Sequence, residues 1–179
     1  MKDKAYILDL VQQLRNKEVL ALQGLYKMFS KEMMASSLRI TNSKSDSEDI
    51  LQEAFVHSYQ KIKQLKEDQK YGSWLKRIVI NASLKSVKNR RHFENLSSID
   101  ISDEILDEED YKGFSMKLIR DEIQLLPNGC REIFSLYLIE GYKHKEIAVA
   151  LGVSISTSKS QYSYALKLLK QALIPKVYE

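Results

Sequence analysis

The chain has 179 residues, 44% of them hydrophobic and 29% charged, with a formal net charge of +4, a profile typical of soluble globular proteins. No apolar run approaches the roughly 20 residues of a membrane-spanning helix. Acids at Asp3 and Asp9 interrupt the stretch where a signal peptide needs a clean apolar run. The single cysteine, Cys130, excludes an internal disulfide and a multi-cysteine zinc site. A cytoplasmic location, no direct membrane insertion, no metal and no cofactor are expected.

The charge is unevenly placed. Residues 1–92 hold 18 Lys and Arg against 10 Asp and Glu, residues 93–115 hold 1 against 8, and residues 116–179 hold 9 against 6. The net charges are therefore +8, −7 and +3. Two basic modules, each able to meet a polyanion, are joined by an acidic segment too polar to build a core. With two prolines and six glycines in the chain, long helices are expected. The fold class read from this is all-α: small helical domains at 1–92 and 116–179, joined by an acidic linker at 93–115.

Along the chain, Tyr6, Ile7, Leu10, Val11 and Leu14 repeat at helical spacing. Leu22, Leu25, Tyr26 and Phe29, continuing through Met33, Met34 and Leu38, give a second face. These are core-packing residues, and 40–45 is a polar break. A helix is expected over Asp46–Lys66, capped by Ser45 or Asp46, with Glu48 and Asp49 in a first turn that favours negative charge. Its acidic N-terminal half, with Gln52, Glu53 and Phe55, reads either as a solvated surface or as a docking face for a protein. Paired carboxylates can also do acid–base chemistry, but no histidine, nucleophile or glycine-rich loop accompanies them.

Lys66–Ser73 is polar and glycine-containing, so a loop is expected. From Tyr71 to Phe93 there is no acid, while Lys76, Arg77, Lys85, Lys88, Arg90 and Arg91 fall inside the stretch. With Leu75, Ile78, Val79 and Ala82 facing inward, this is a basic amphipathic helix suited to phosphates or to an anionic membrane surface. Trp74 reads equally as a stacking platform for unpaired bases or as a core anchor.

After the acidic stretch, Leu118, Ile119, Ile123 and Leu126 resume helical spacing up to Pro127, which can open the next helix. Ile133, Phe134, Tyr137 and Leu138 pack that helix, and Gly141 closes it. Lys143–Leu151 is a short helix, Gly152 supplies a left-handed closing residue, and Ser154 is a good N-cap for a further helix. Ala165, Leu168, Leu169, Ala172 and Leu173 share one face of it. Two helices joined by a short glycine-containing turn form the helix-turn-helix pattern, whose second helix enters the DNA major groove.

Taken together, these stretches resemble the sigma-70 family of bacterial RNA polymerase initiation factors, in its two-domain extracytoplasmic-function group. Asp46-x-Glu48-Asp49-x-x-Gln52-Glu53-x-Phe55 is similar to the family's polymerase-docking helix. Trp74-Leu75-x-x-Ile78-x-x-Asn81 and the basic run to Arg91 are similar to its promoter-melting helix. Leu126-Pro127, Arg131-Glu132-Ile133-Phe134 and Glu146-Ile147-Ala148-x-x-Leu151-Gly152-Val153-Ser154 resemble its C-terminal DNA-reading domain.

The resemblance implies binding to the RNA polymerase core at the clamp helices of the largest subunit, through Asp46, Glu48, Asp49, Gln52, Glu53 and Phe55, and at the flap of the second-largest subunit. It implies that flipped bases of the minus-ten element are held by the Lys66–Ser73 loop, including Lys70, Tyr71 and Ser73, with Trp74 and Asn81 nearby. Lys76, Arg77, Lys85, Lys88, Arg90 and Arg91 would neutralise phosphates. Lys143, Lys145, Ser154, Ser156, Thr157, Ser158, Lys159, Gln161 and Tyr162 would contact the minus-thirty-five element in duplex DNA. The acidic linker would lie in the RNA path, and an anti-sigma factor is an expected partner.

The sequence departs from the family's usual reading helix. Thr157, Lys159, Ser160 and Ala165 match, but Ser158 and Gln161 replace a Val and an Arg, and Tyr162 and Tyr164 stand at usually basic or aliphatic positions. Since Gln can pair with adenine where Arg prefers guanine, an altered minus-thirty-five preference is expected. The rival reading is a dimeric helix-turn-helix regulator acting without polymerase, which leaves the first domain unexplained. A metal-dependent hydrolase gains no support, because His57, His92 and His144 lie in unrelated segments without ligand spacing.

Overall fold

The computed structural model describes residues 4–94 and 116–174, with side chains from 4 to 90 and from 117 to 174. The expected linker at 93–115, beyond the helical backbone at Phe93 and Glu94, lies outside the described residues, as do the side chains of Arg91 and His92. No strand occurs among the described residues, whose regular elements are all helical, and the chain divides into two compact units, with the division after Arg90.

The first unit contains α1 (Lys4–Arg15), α2 (Val19–Thr41), α3 (Lys44–Gln60) and α4 (Tyr71–Glu94). Its core is built from Leu10, Val11 and Leu14 of α1, Leu25, Phe29 and Met33 of α2, Leu51, Ala54 and Phe55 of α3, and Tyr71, Leu75 and Val79 of α4. Each fully buried Leu or Phe contributes about 1.5–3 kcal/mol relative to exposure. A seam of small hydroxyl residues runs between α2, α3 and α4. Ser83 Oγ donates to Ser37 Oγ at 3.0 Å and to Val79 O at 2.9 Å, and Thr41 Oγ1 pairs with Ser47 Oγ at 2.8 Å. Bonding to nearby hydroxyls or to the carbonyl one turn back satisfies these buried groups.

Helix α3 begins two residues before the expected Asp46. The chain leaves α2 through Asn42 in the left-handed conformation (φ 50°), and Ser43 Oγ accepts from Asp46 N at 3.2 Å. Ser43 is thus the N-cap, worth about 1 kcal/mol. The helix stops at Gln60 rather than Lys66, and one-turn 3-10 segments at Ile62–Gln64 and Asp68–Lys70 carry the chain onward while burying Ile62 and Leu65. Helix α4 starts at Tyr71, so Tyr71, Gly72 and Ser73 form a first turn instead of a loop. Glycine suits position 72, because a Cβ there would lie 2.7 Å from the buried Phe29 ring, which would have to shift.

The second unit contains α5 (Met116–Gln124), α6 (Asn128–Phe134), α7 (His144–Leu151) and α8 (Ile155–Leu173). Ile123, Leu126, Cys130, Phe134, Ala165 and Leu169 form a core between α5, α6 and α8. Arg131 is buried and reaches back to the end of α5, donating from Nη1 to Leu126 O at 3.1 Å and from Nη2 to Asn128 Oδ1 at 2.8 Å. It closes carbonyls that a helix end leaves open. Helix α6 runs into a π-turn at Ser135–Ile139, where Glu140 N donates to Ser135 O. Gly141 (φ 76°) and Gly152 (φ 68°) then supply the left-handed conformations at which the chain turns into α7 and out of it.

Candidate nucleic-acid interface

Helix α3 alternates between core and solvent. Ile50, Leu51, Ala54 and Phe55 point inward, while Glu48, Asp49, Gln52 and Glu53 are exposed along one side, with Val56 49% exposed beside them. Phe55 is not part of that exposed stripe: it is 3% exposed and packs against the Tyr26 ring at 4.9 Å. Asp46 is committed internally. Its carboxylate accepts from Arg90 in an ion pair and from Ser86 Oγ at 3.2 Å, and Arg90 also donates to Thr41 O at 3.0 Å. Asp46 and Arg90, expected to meet different partners, therefore bind each other and tie the start of α3 to the end of α4. Spacing did not single out Val56, which directly follows the core residues Ala54 and Phe55 in the sequence.

On α4, Ser73, Arg77, Asn81, Lys85 and Lys88 are exposed at the three- and four-residue spacing that lines up one face. No acid lies on this helix before Glu94, so phosphate contact there meets no like charge from α4 itself. Lys76 lies within 3.9 Å of Glu32. Trp74 is half-buried and packs on the first core, with its ring 6.1 Å from that of Tyr71. Tyr71 corrects the expectation of a base contact. Its side chain is fully buried, its hydroxyl pairs with Ser58 Oγ at 2.9 Å, and burial pushes its pKa up to about 12. Lys70 is exposed but bonded to Glu67 at 2.6 Å, and that bond, followed by one from Gln69, holds the Glu67 carboxyl below its ordinary range.

Beside this loop is an open cleft of about 530 Å³, whose lining includes Leu8, Leu65, Lys66 and Gln69. Arg15 forms its wall, donating from Nε and Nη2 to Asp68 Oδ1 at 2.8 and 2.6 Å and from Nη2 to Leu65 O at 2.6 Å. Nothing in the sequence pattern distinguished Arg15 from an ordinary basic helix end.

In the second unit, Ser154 Oγ accepts from Thr157 N at 2.9 Å, capping α8 as expected. Lys143 N donates to Glu146 Oε2 at 2.8 Å, holding the start of α7. Ser156 and Lys159 are exposed, as are Lys143 and Lys145. Ser158 is off that open face, and Gln161 and Tyr162 are only half-exposed. Ser158 is buried with its hydroxyl 2.9 Å from His144 Nδ1. The Gln161 amide lies over Gly129, close enough that a Cβ there would sit 2.8 Å from Oε1. Tyr162 packs among Phe134, Tyr137 and His144, with centroids 6.1, 4.6 and 5.8 Å away. The exposed side of α8 instead carries Ser156, Lys159, Ser160, Ser163, Tyr164 and Lys167. The apolar repeat ending in Ala165 and Leu169 implied this once extended backward by full turns to 158, 161 and 162.

Among the described residues no group of His, Cys, Asp or Glu is arranged to hold a metal ion, and no helix is long and apolar enough to cross a membrane. Residues 25–93 match the family model for Sigma-70 region 2, and residues 116–169 match that for Sigma-70, region 4. Helix α1 precedes the first match. The chain is 27% identical to RNA polymerase sigma factor SigZ of Bacillus subtilis, over 85% of this chain and 86% of that one. It is 24% identical to RNA polymerase sigma-H factor of Pseudomonas aeruginosa, over 96% and 95%. A solved structure of the sigma factor RpoE in complex with the anti-sigma factor NepR, from Bartonella quintana, shares the fold at a TM-score of 0.56 with 18% identity, over 84% of this chain and 95% of that one. Both family regions therefore occur in order, on an all-helical scaffold whose second unit holds a complete helix-turn-helix. The chain belongs to the sigma-70 family of RNA polymerase sigma factors, in its extracytoplasmic-function group.

Proposed function

We propose that this protein binds the bacterial RNA polymerase core, directs promoter-specific initiation, and is held in check by an anti-sigma factor. The polymerase performs the chemistry, and this chain supplies promoter choice and strand separation without a catalytic group of its own. The observation that carries this reading is the pairing of two exposed stripes in the region 2 unit: Glu48, Asp49, Gln52 and Glu53 on α3, and Ser73, Arg77, Asn81, Lys85 and Lys88 on α4. A regulator of duplex DNA alone has use for the helix-turn-helix but not for both of these.

In this reading the α3 stripe docks on the polymerase clamp helices, with Val56 giving the contact an apolar centre. The flap of the second-largest subunit meets the region 4 unit. The α4 stripe tracks the phosphates of the minus-ten element, and the loop at 62–70, with Trp74 and Asn81, receives bases taken out of the stack. Extruding a base costs a few kcal/mol, which contacts in the loop must offset. Helix α8 reads the minus-thirty-five element through Ser156, Lys159, Ser160, Ser163 and Lys167, with Lys143 and Lys145 on flanking phosphates. Such a protein works in the cytoplasm, where its polymerase is.

Charge reversal tests the docking face. Asp49→Lys combined with Glu53→Lys is expected to weaken core polymerase binding by about a hundredfold or more, the scale of disrupting desolvated charge contacts. Both side chains are exposed, so helicity and melting should be preserved. Retained affinity contradicts the assignment. Tight binding of free duplex by the chain alone, with no affinity for polymerase, would favour the dimeric regulator.

A further inference from the structure

Helix α1 makes polar contacts that its place in the core does not require. Its last residue, Arg15, projects a guanidinium onto the segment joining α3 to α4 and makes contacts there with Ile62, Leu65 and Asp68. Nε and Nη2 donate to one carboxylate oxygen of Asp68, Nη2 also donates to Leu65 O at 2.6 Å, and Nη1 approaches Ile62 O at 3.4 Å. A second tie follows two residues later. Lys17 Nζ donates to Tyr59 O at 3.3 Å and lies 4.6 Å above the Tyr59 ring, while the Tyr59 hydroxyl donates to Lys17 O at 3.4 Å.

Ile62 and Leu65 anchor the first part of the segment in the core, whereas the second turn, Asp68–Lys70, buries no side chain of its own. The segment consists of 3-10 turns at Ile62–Gln64 and Asp68–Lys70 separated by residues that are exposed apart from Leu65. Short 3-10 turns are weakly held by their own hydrogen bonds. A planar guanidinium bonded to a carboxylate on one turn and to carbonyls before it fixes the separation of the two turns, which a lysine point charge would not do. The same guanidinium forms one wall of the open cleft beside Lys66 and Gln69.

We infer that Arg15 is a positioning residue for the minus-ten-reading loop: it holds the 62–70 segment in the conformation that receives an extruded base. This rests on the proposed role of that loop. Arg15 itself touches backbone and Asp68, so its effect on DNA is exerted through the loop.

The test uses the full chain assembled with core polymerase. The probe is a single-stranded oligonucleotide covering the minus-ten region of a promoter mapped by run-off transcription, with 2-aminopurine substituted at each position in turn. Wild type should bind the probe and brighten 2-aminopurine at the extruded position. Arg15→Ala is expected to weaken probe binding about tenfold, the scale of one lost charge-assisted contact, and to erase the brightening. Core polymerase affinity should stay within about twofold of wild type. Asp68→Asn, which leaves the carbonyl contacts in place, should fall between the two and serves if the alanine variant does not fold. Val11→Ala, a core truncation in the same helix, should lower the melting temperature without changing probe binding below it. Probe binding and brightening unchanged in Arg15→Ala, or in Asp68→Asn where that variant stands in, would overturn the inference, as would an equal loss in Val11→Ala. A wild-type holoenzyme that neither binds the probe nor brightens it would overturn the loop's proposed role, and the inference with it.

Discussion

At the scale of single residues, Tyr71 shows how burial reassigns a side chain. Its hydroxyl lies in the first core against Ser58, and burial raises its pKa from an ordinary value of 10 to about 12. A raised folded-state pKa means the neutral form is favoured by folding, so this contribution is complete below pH 10 and is lost as pH climbs from about 10 through about 12. Two pKa units correspond to roughly 2–3 kcal/mol. Tyr71→Phe is expected to unfold less steeply than wild type between pH 10 and 12, followed by circular dichroism; identical alkaline profiles would contradict the assignment. Next to it, Gly72→Ala forces a methyl group against the Phe29 ring at 2.7 Å. That overpacking should cost about 1–3 kcal/mol, read as a lower midpoint in thermal or urea unfolding of the first unit. Neither residue's role was legible in the sequence. A tyrosine and a glycine in a polar run signal a loop, and only the position of Phe29, more than forty residues earlier, turns them into core and contact.

Among the elements, apolar spacing located α1, α2, α4 and α8, whose core faces repeat cleanly, but not the 3-10 turns at Ile62–Gln64 and Asp68–Lys70. The boundaries were less legible. Helix α3 starts earlier because Ser43, not Ser45 or Asp46, reaches a free backbone N–H. The π-turn at Ser135–Ile139 leaves no mark that separates it from ordinary helix. The hydroxyl seam of Ser37, Thr41, Ser47 and Ser83 packs helices closely while reading as polar. Helix α8 illustrates the consequence for function. Matching its residues to a family pattern placed Ser158, Gln161 and Tyr162 on the DNA, whereas Ser158 is buried and Gln161 and Tyr162 are half-buried against Gly129 and the rings of Phe134, Tyr137 and His144. Gln161→Arg should therefore lower the stability of the second unit through its contact with Gly129 and leave the selected minus-thirty-five sequence unchanged. A new preference in a binding-site selection would contradict this. By contrast, Lys159→Ala with Lys167→Ala should weaken duplex binding across sequences and reduce the salt slope of binding by about 2, one unit per lost phosphate contact.

Over the whole molecule, the charge pattern was the most informative feature of the sequence. Basic blocks of +8 and +3 flank an acidic segment of −7, and the chain divides into two compact units after Arg90. Each unit presents cations on a helix, α4 in one and α8 in the other, so promoter binding by the holoenzyme should fall steeply with salt. The acids of α3 belong to a different surface, which in this account meets protein. In this account the helix-turn-helix alone holds duplex DNA weakly, and docking on polymerase adds effective concentration at the promoter.

Run-off transcription with purified bacterial core polymerase, this protein and fragments of the genome that encodes it tests that account most directly. It predicts discrete transcripts that depend on the added protein, sharing two upstream sequence elements, and disappearing with the Asp49→Lys, Glu53→Lys variant. No protein-dependent transcript, together with no binding to core polymerase, would contradict it.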